Sequence, residues 1–240
     1  MLKEPRAARQ LRTFALLAIS LILLSGCQQR VLKSASAAER SLVGTDVLLL
    51  NPDVQLAELT AGGLLEPRAD WTSAGEKNVR TALDSLLSTR GVRVSEYRAP
   101  DDATRGRKHE QLLKLHQAVG TSIILHGYEN PGQLPTKTGP LDWTLGQDVA
   151  VLKEDFGAQY GLFIYLHDSY ASAGRVAVMF LAAAFGVGIQ GGTQVGFASL
   201  VDLQSGEVVW FNFLANATGD LRTAEPATAA VKSLLNELPL

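Results

Sequence analysis

Phe197-Ala198-Ser199-Leu200-Val201-Asp202, then Gln204-Ser205-Gly206, then Glu207-Val208-Val209-Trp210-Phe211-Asn212-Phe213-Leu214 read as strand, turn and strand. The glycine of the turn suits the positive φ of a bulged hairpin loop. Side chains alternate along a strand, so the returning strand is apolar on both faces. One face would carry Val209, Phe211 and Phe213, and the other Val208, Trp210 and Leu214. We expect cover on both faces, from helices or from a partner.

The chain outside this hairpin alternates between short apolar runs and helical patterns. Strands are predicted at 46–50, 92–97, 123–125 and 162–166, and helices at 73–90, 100–120, 145–156 and 223–238. Ser73-Ala74-Gly75-Glu76 matches a capping box, and Gly91 and Gly120 suit helix ends. This order predicts one α/β domain over 45–240, a mixed sheet flanked by helices, closed by the hairpin and a terminal helix.

The first 26 residues have the pattern of an export signal. Lys3, Arg6, Arg9 and Arg12 precede an apolar run over 14–24. That run is roughly half the ~20 residues that a membrane-spanning helix needs. A cleaved signal over 1–26 is therefore predicted, and ordinary cleavage would leave Cys27 as a free thiol.

Leu24-Ser25-Gly26-Cys27 resembles the lipobox of bacterial lipoproteins. The resemblance implies a diacylglyceryl group on the Cys27 sulfur, cleavage before Cys27 and acylation of the new amino terminus. Gln28 rather than aspartate follows, which in the enterobacterial sorting pattern implies the outer membrane. Residues 27–44 are rich in small and polar side chains, and they would form a tether between lipid and fold.

The composition of the chain limits its possible cross-links, partners and cofactors. Cys27 is the only cysteine, so a chain that uses it for lipid has no disulfide. The formal net charge is −2, and no basic stripe is present to neutralise phosphates, which argues against nucleic acid as a partner. The sequence predicts no cofactor and no metal site.

The stretch from Ala198 to Trp210 resembles the late hairpin of the CsgG-like periplasmic lipoproteins. That group includes the curli secretion channel subunit, penicillin-binding-protein activator lipoproteins and uncharacterised outer-membrane lipoproteins. The resemblance implies an α/β sandwich close to the N-terminal domain of TolB. Secretion channels of the group carry two amphipathic membrane hairpins. Residues 175–189 offer at most one and lack strict alternation, which argues against a pore.

Residues 175–189 are almost entirely apolar or small. They favour a buried helix, or a helix and a strand, in the core. The alternative is a surface that inserts into the bilayer or packs against a second copy, since an exposed apolar patch of that size needs a partner. For contacts with partners we predict the apolar surfaces around Phe180, Phe185, Trp210 and Phe213.

Three patterns in the sequence resemble binding or catalytic sites. Residues 186–191 match the dinucleotide fingerprint, but an apolar segment enters and a strand leaves, the wrong context for pyrophosphate binding. His109 and His116 share a helical face, for which a solvated polar face is favoured over zinc. The ends of two predicted strands could bring together His126, His167 and Asp168.

Together these patterns predict a non-enzymatic outer-membrane lipoprotein on the periplasmic face. It would act as an accessory or assembly factor that binds envelope proteins and self-associates. An oligomeric secretion or pore lipoprotein is the main alternative, and a periplasmic hydrolase that uses His126, His167 and Asp168 is the second.

Overall fold

The structure, a computed structural model, describes residues 31–35, 44–129, 134–137, 141–216 and 219–239. The predicted signal, Cys27 and most of the predicted tether lie outside these ranges. The folded domain is the compact unit Val31–Leu240.

The described residues contain a mixed sheet of eight strands and five α-helices. The strands are β1 Leu32–Lys33, β2 Asp46–Leu49, β3 Asp53–Leu59, β4 Leu65–Pro67, β5 Arg93–Glu96, β6 Tyr160–Ala171, β7 Gln194–Asp202 and β8 Val208–Asn216. The helices are α1 Ala69–Thr89, α2 Ala103–Ile123, α3 Ala150–Phe156, α4 Ala173–Ala184 and α5 Ala224–Leu234. A π-helix, Ile124–Glu129, follows α2, and a 3-10 turn, Gln147–Val149, precedes α3. The predicted α/β class is confirmed.

Strand β6 is the centre of the sheet. The strand order is β1-β8-β7-β6-β2-β5, with β7 and β8 antiparallel to their neighbours. Two strands share the other edge of β6: β2 lies parallel to its first residues and β3 parallel to its last seven. Strand β4 pairs with β3 alone among the described strands. At this edge the sheet therefore divides into two branches. In one branch β2 pairs with β5, and in the other β3 pairs with β4.

Two apolar cores cover the two faces of the sheet. Helices α1 and α5 pack on one face, against side chains that include Trp210 and Leu214. Residues of α2, α3 and the 141–149 segment pack on the other, against Phe197 and Phe211. The expected cover on both faces of the hairpin is thus observed. The predicted alternation fails only at a bulge opposite Leu200 and Val201, which moves Val208 and Val209 to the faces opposite to those predicted.

Two predicted boundaries in the helices are wrong. Gly120 does not end α2, because it lies where the helix meets the sheet: an added Cβ would lie 2.1 Å from Phe197 Cε2. The helix continues, so residues 123–125 form helical structure and no strand. The capping box at Ser73 is also wrong, since α1 already begins at Ala69, directly after β4.

Strand β1 lies within the segment predicted as a tether. Leu32 pairs with Phe211 and is buried in the second core, and Lys33 lies 3.1 Å from Glu237. The folded body therefore begins near residue 31, before the predicted boundary at 45.

Candidate functional site

Helix α4 is the most exposed apolar element among the described residues. Its first turn is capped by Ser172, whose Oγ accepts a hydrogen bond from the Arg175 backbone N–H at 3.1 Å. No residue of the helix is buried, and Phe180 and, just after the helix, Phe185 are 74% and 85% exposed. The expectation that this segment is a core helix is wrong, because no residue of α4 is buried and none belongs to either of the two apolar cores.

A second exposed apolar group lies on the β3–β4 hairpin. Leu64 and Leu65 are 70% and 61% exposed. The turn before them contacts the start of α4, since a Cβ on Gly174 would lie 3.3 Å from the Cβ of Ala61. Because β3 ends opposite Ala171 of β6, both groups lie at one end of the sheet. We call this surface, made of α4, Phe185, Val187, Leu64 and Leu65, the apolar end.

A groove of about 460 Å³ runs along the sheet beside the apolar end. Its floor is formed by β3, β6 and β7, and its walls by β4 and by the segment around Arg175 and Gln190. The Arg175 guanidinium is held in the wall, since its Nε and Nη2 donate to the Gln190 carbonyl oxygen at 3.1 and 2.9 Å. Apolar and polar residues share the lining: Ala57, Leu59, Leu65, Pro67 and Val195 with Gln55, His167, Ser169 and Thr193.

The structure separates the four residues predicted for partner contacts. Phe180 and Phe185 lie on the apolar end. Trp210 does not reach the surface: it is fully buried under helices α1 and α5, so it cannot contact a partner. Phe213 is half-buried, with its ring 5.6 Å from that of Tyr128. Leu64 and Leu65 were missed, although two adjacent leucines after the turn Ala61-Gly62-Gly63 were a usable signal.

The three groups of the hydrolase hypothesis lie in different environments. His126 is on the π-helix, stacked on Trp143 with ring centroids 6.4 Å apart. His167 Nδ1 is 2.9 Å from the Tyr165 hydroxyl. Asp168, the next residue on β6, points to the opposite face, as strand geometry requires. The predicted convergence of His126, His167 and Asp168 is therefore wrong.

Asp168 belongs to a buried polar network that holds the chain after β8. The Tyr170 hydroxyl and Gln194 Nε2 donate to Asp168 Oδ2 at 2.5 and 2.9 Å. The backbone N–H of Leu221 donates to the Tyr170 hydroxyl at 2.8 Å, and the Arg222 guanidinium lies 3.9 Å from the Tyr170 ring centroid. Burial raises the pKa of Asp168, although both of its side-chain hydrogen bonds oppose the increase. Asp168, Tyr170 and Gln194 bond to one another and to the backbone of Leu221, which indicates a structural role, although the buried Oε1 of Gln194 has no hydrogen-bond partner among the described residues.

His109 and His116 are buried, so the predicted solvated face is wrong. His109 Nε2 lies 3.0 Å from Asp155 Oδ2, and burial lowers the pKa of His109 although Asp155 opposes the change. His116 Nε2 lies 2.8 Å from Ser199 Oγ, and burial lowers the pKa of His116 to about 3. The two histidines lie in separate contacts between α2 and its neighbours.

The dinucleotide fingerprint at residues 186–191 lies in the wrong structural context for a nucleotide site. Residues 186–191 follow helix α4 and precede β7, the reverse of the strand-then-helix order that positions a pyrophosphate. In the described part of the chain, no group of three or more His, Cys, Asp or Glu side chains is placed to hold a metal ion. Within the same ranges, none of the helices has the length and apolar character needed to cross a bilayer.

Comparison with known proteins gives distant likenesses. No protein-family model matches the chain, and no curated protein sequence matches it. Among solved structures, a PelC dodecamer from Paraburkholderia phytofirmans is 14% identical, with a TM-score of 0.38, over 88% of this chain and 95% of that one. The LpoB C-terminal domain from Salmonella enterica is 15% identical, with a TM-score of 0.27, over 72% and 82%. Lipoprotein GNA1162 from Neisseria meningitidis is 14% identical, with a TM-score of 0.30, over 71% and 81%. Likenesses at this level assign neither a family nor a function.

Proposed function

We propose that this protein is a non-enzymatic accessory lipoprotein of the bacterial outer membrane. Lipid on Cys27 would hold it at the periplasmic face, and its folded body would bind a protein of the envelope. The export signal and the Leu24-Ser25-Gly26-Cys27 motif support the location.

The observation that carries the binding role is the pair of exposed leucines beside the groove. Leu64 and Leu65 stand on a hairpin that is fixed by its pairing to β3 and by its contact with α4. A large apolar side chain held rigidly in water gains free energy when a partner covers it, on the order of 2 kcal/mol for each leucine. The mixed apolar and polar lining of the groove has the composition of surfaces that bind a segment of polypeptide.

A non-enzymatic role is proposed because the candidate catalytic groups have other tasks. Asp168 holds the chain after β8, and His116 with Ser199 is enclosed between α2 and the sheet. A serine nucleophile needs an accessible hydroxyl, a positioned base and an oxyanion site. His116 borders a cavity of about 310 Å³, but Ser199 is 1% exposed, so its hydroxyl is not accessible to a substrate.

Site-specific photocrosslinking in the native envelope tests this function. A photoreactive residue at position 65 should give a discrete protein adduct, and one at the exposed Lys108 of α2 should not. Leu64→Glu should abolish the adduct while the protein remains in the outer-membrane fraction. His126→Ala and His167→Ala should leave both the adduct and the fraction unchanged.

The outcomes separate the parts of the proposal. An adduct that survives Leu64→Glu would contradict the role of the hairpin. If cells that carry His126→Ala or His167→Ala show the same defect as cells that lack the protein, at an unchanged protein level, the hydrolase alternative would be favoured. Cys27→Ala should release the protein from the membrane fraction, and mass spectrometry of the native protein should find acyl groups on residue 27.

A further inference from the structure

The groove beside the apolar end carries one positive charge, that of Arg175. Apart from His167, the only acidic or basic residues that line the groove are Arg175 and Asp168. Asp168 turns its side chain to the opposite face of the sheet, into the buried network described above. Glu58 and Glu66 of the β3–β4 hairpin alternate with lining residues, so they also point to the opposite face.

The Arg175 guanidinium is held in place by neutral groups. Its Nε and Nη2 donate to the Gln190 carbonyl oxygen at 3.1 and 2.9 Å, and no carboxylate among the described residues pairs with it. Its Nη1 faces the other wall, where a Cβ added at Gly63 would lie 3.6 Å away. The guanidinium therefore reaches from one wall of the groove to the other without a counter-ion in the described part of the chain.

The wall that holds Arg175 is firmly attached to the sheet. Gln190 Nε2 donates to Thr193 Oγ1. The Thr193 N–H donates to Ser169 Oγ at 3.0 Å, and the Ser169 N–H donates to the Thr193 carbonyl oxygen at 3.1 Å. A Cβ at Gly192 would lie 2.2 Å from the Ser169 carbonyl oxygen, so this segment lies directly on β6. A ligand would meet a guanidinium already in position, which reduces the entropy lost on binding.

The dimensions and lining of the groove indicate an extended chain. From Gln55 to Leu59 the floor advances four residues along β3, a distance of about 13 Å. An extended segment of about four residues has the same length. Ala57, Leu59 and Val195 would contact its apolar side chains, while the guanidinium favours a carboxylate, which it can bind through two N–H groups.

That carboxylate is better placed on a side chain than at a chain end. Leu64 directly follows Gly63, the residue that Arg175 faces, and Leu65 lines the groove. A partner that covers both leucines must therefore continue past Arg175. At the other end of the groove His167 Nε2 lies 3.4 Å from Asp53 Oδ1, so an acidic residue would be repelled there.

We infer that the groove binds an extended segment of the partner protein through an aspartate or glutamate side chain that pairs with Arg175. The inference rests on the proposed function and deepens it, because it states the chemistry that the partner presents. It also divides the binding surface into two parts. Leu64 and Leu65 supply apolar area, and Arg175 selects for a negative charge at one position.

Peptide libraries test this chemistry before the partner is known. The full chain is immobilised and incubated with three libraries of acetylated, amidated octapeptides. One central position is fixed as glutamate, glutamine or lysine, and the others are random mixtures of valine, leucine, serine and threonine. Retention of the glutamate library should exceed that of the glutamine library by at least roughly tenfold, with no gain for lysine. The preference should decrease between about 0.05 and 0.5 M salt.

Substitutions at Arg175 assign the preference to this side chain. Arg175→Gln should remove the preference for glutamate, and Arg175→Lys, which keeps the charge without the planar fork, should retain part of it. Arg98→Gln makes the same change of charge at an exposed residue outside the groove, so it should have no effect. Because Arg175 also holds Gln190, retention of the glutamine library reports whether the groove is intact, and it should be unchanged in Arg175→Gln.

Three results would overturn the inference. The first is equal retention of the glutamate and glutamine libraries by the unaltered protein. The second is a preference that survives Arg175→Gln, or an equal loss of both libraries in that variant, which would make Arg175 a structural residue. The third is a glutamine library with a free terminal carboxylate that is retained as well as the glutamate library, which would assign Arg175 to a chain end.

The photocrosslink at position 65 separates this inference from the proposed function. In the native envelope Arg175→Gln should reduce the adduct by at least roughly tenfold, and Arg98→Gln should not change it. An adduct that persists in full with Arg175→Gln would overturn the inference while the proposed function stands. If no adduct forms but the libraries show a preference that depends on Arg175, the proposed function fails and the chemistry of the groove stands.

Discussion

At the scale of single residues, His116 shows how burial changes the chemistry of a side chain. Its ring is 4% exposed, stacked on Phe163 at 4.9 Å between centroids and bonded to Ser199. A neutral imidazole fits this site, whereas an imidazolium would lose its hydration without an anionic partner at contact distance. The residue therefore stabilises the fold only while it is uncharged.

His116→Gln should make stability less dependent on pH. The pKa of His116 is about 3 in the folded protein, below its unfolded value near 6.5, so the unfolded state binds the extra proton between these values. The stability that neutral His116 provides is present above about pH 6.5 and is lost as pH falls towards 3, by about 1.4 kcal/mol per pH unit. Urea unfolding at about pH 6 and pH 4 should show this extra loss in the wild type and not in the variant. Lys114→Gln, on the exposed side of α2, is the control, and identical slopes for wild type and His116→Gln would contradict the account.

At the scale of elements, the contact between α2 and the sheet depends on the absence of a side chain. Phe197 is fixed between Tyr165 and Phe211, with ring centroids 4.8 and 5.5 Å away, so it cannot yield to a new methyl group. Helix α2 approaches this ring through Gly120. The same glycine misled the sequence interpretation, because a glycine at a helix end and one at a close approach look alike along the chain.

Gly120→Ala should lower the free energy of unfolding by about 1–3 kcal/mol, since the added Cβ would overlap the Phe197 ring. The matched change in the same helix is Gly106→Ala, whose Cβ would lie 3.8 Å from its nearest neighbour, the Pro100 carbonyl oxygen. It should raise the free energy by roughly 0.5–1 kcal/mol through helix propensity. Urea denaturation of both variants measures the difference, and equal effects would show that α2 does not need the gap at residue 120.

Elements whose signals are local could be predicted from the sequence. The β7–β8 hairpin follows from its own turn and alternation, and Gly206 has the expected positive φ of 80°. Residues 123–125 could not be assigned correctly, since their helical state depends on α2 continuing past Gly120 against a distant strand. Helix α4 was placed in the core because apolar composition alone predicts burial and does not say what covers the surface.

At the scale of the whole molecule, the fold extends to residues that composition assigned to a tether. Strand β1 closes the outer edge of β8, and Leu32 fills part of the second core. A small-residue segment gives no periodic signal over two residues, so this strand could not be predicted. The bounds of the folded body are set by a long-range pairing.

Leu32→Ala should therefore destabilise the whole domain, by about 2–5 kcal/mol, because the side chain is 3% exposed and its removal leaves a cavity. Lys33→Ala, next to it, removes only a surface ion pair with Glu237 and should cost less than about 1 kcal/mol. Thermal unfolding of both variants tests the prediction. Equal melting temperatures would place residue 32 outside the cooperative unit.

The shared edge of β6 also governs when the chain can fold. Its partners β2 and β3 precede it by more than a hundred residues, while β7 follows shortly after it. A chain that emerges amino terminus first, from a ribosome or a translocation channel, exposes one unpaired edge on each of β2 and β3 until β6 arrives, even after β4 and β5 have paired with them. Closing so long a loop slows folding, and the waiting strands are open to aggregation. The molecule is therefore one for which a holding chaperone would matter most during the first half of its emergence.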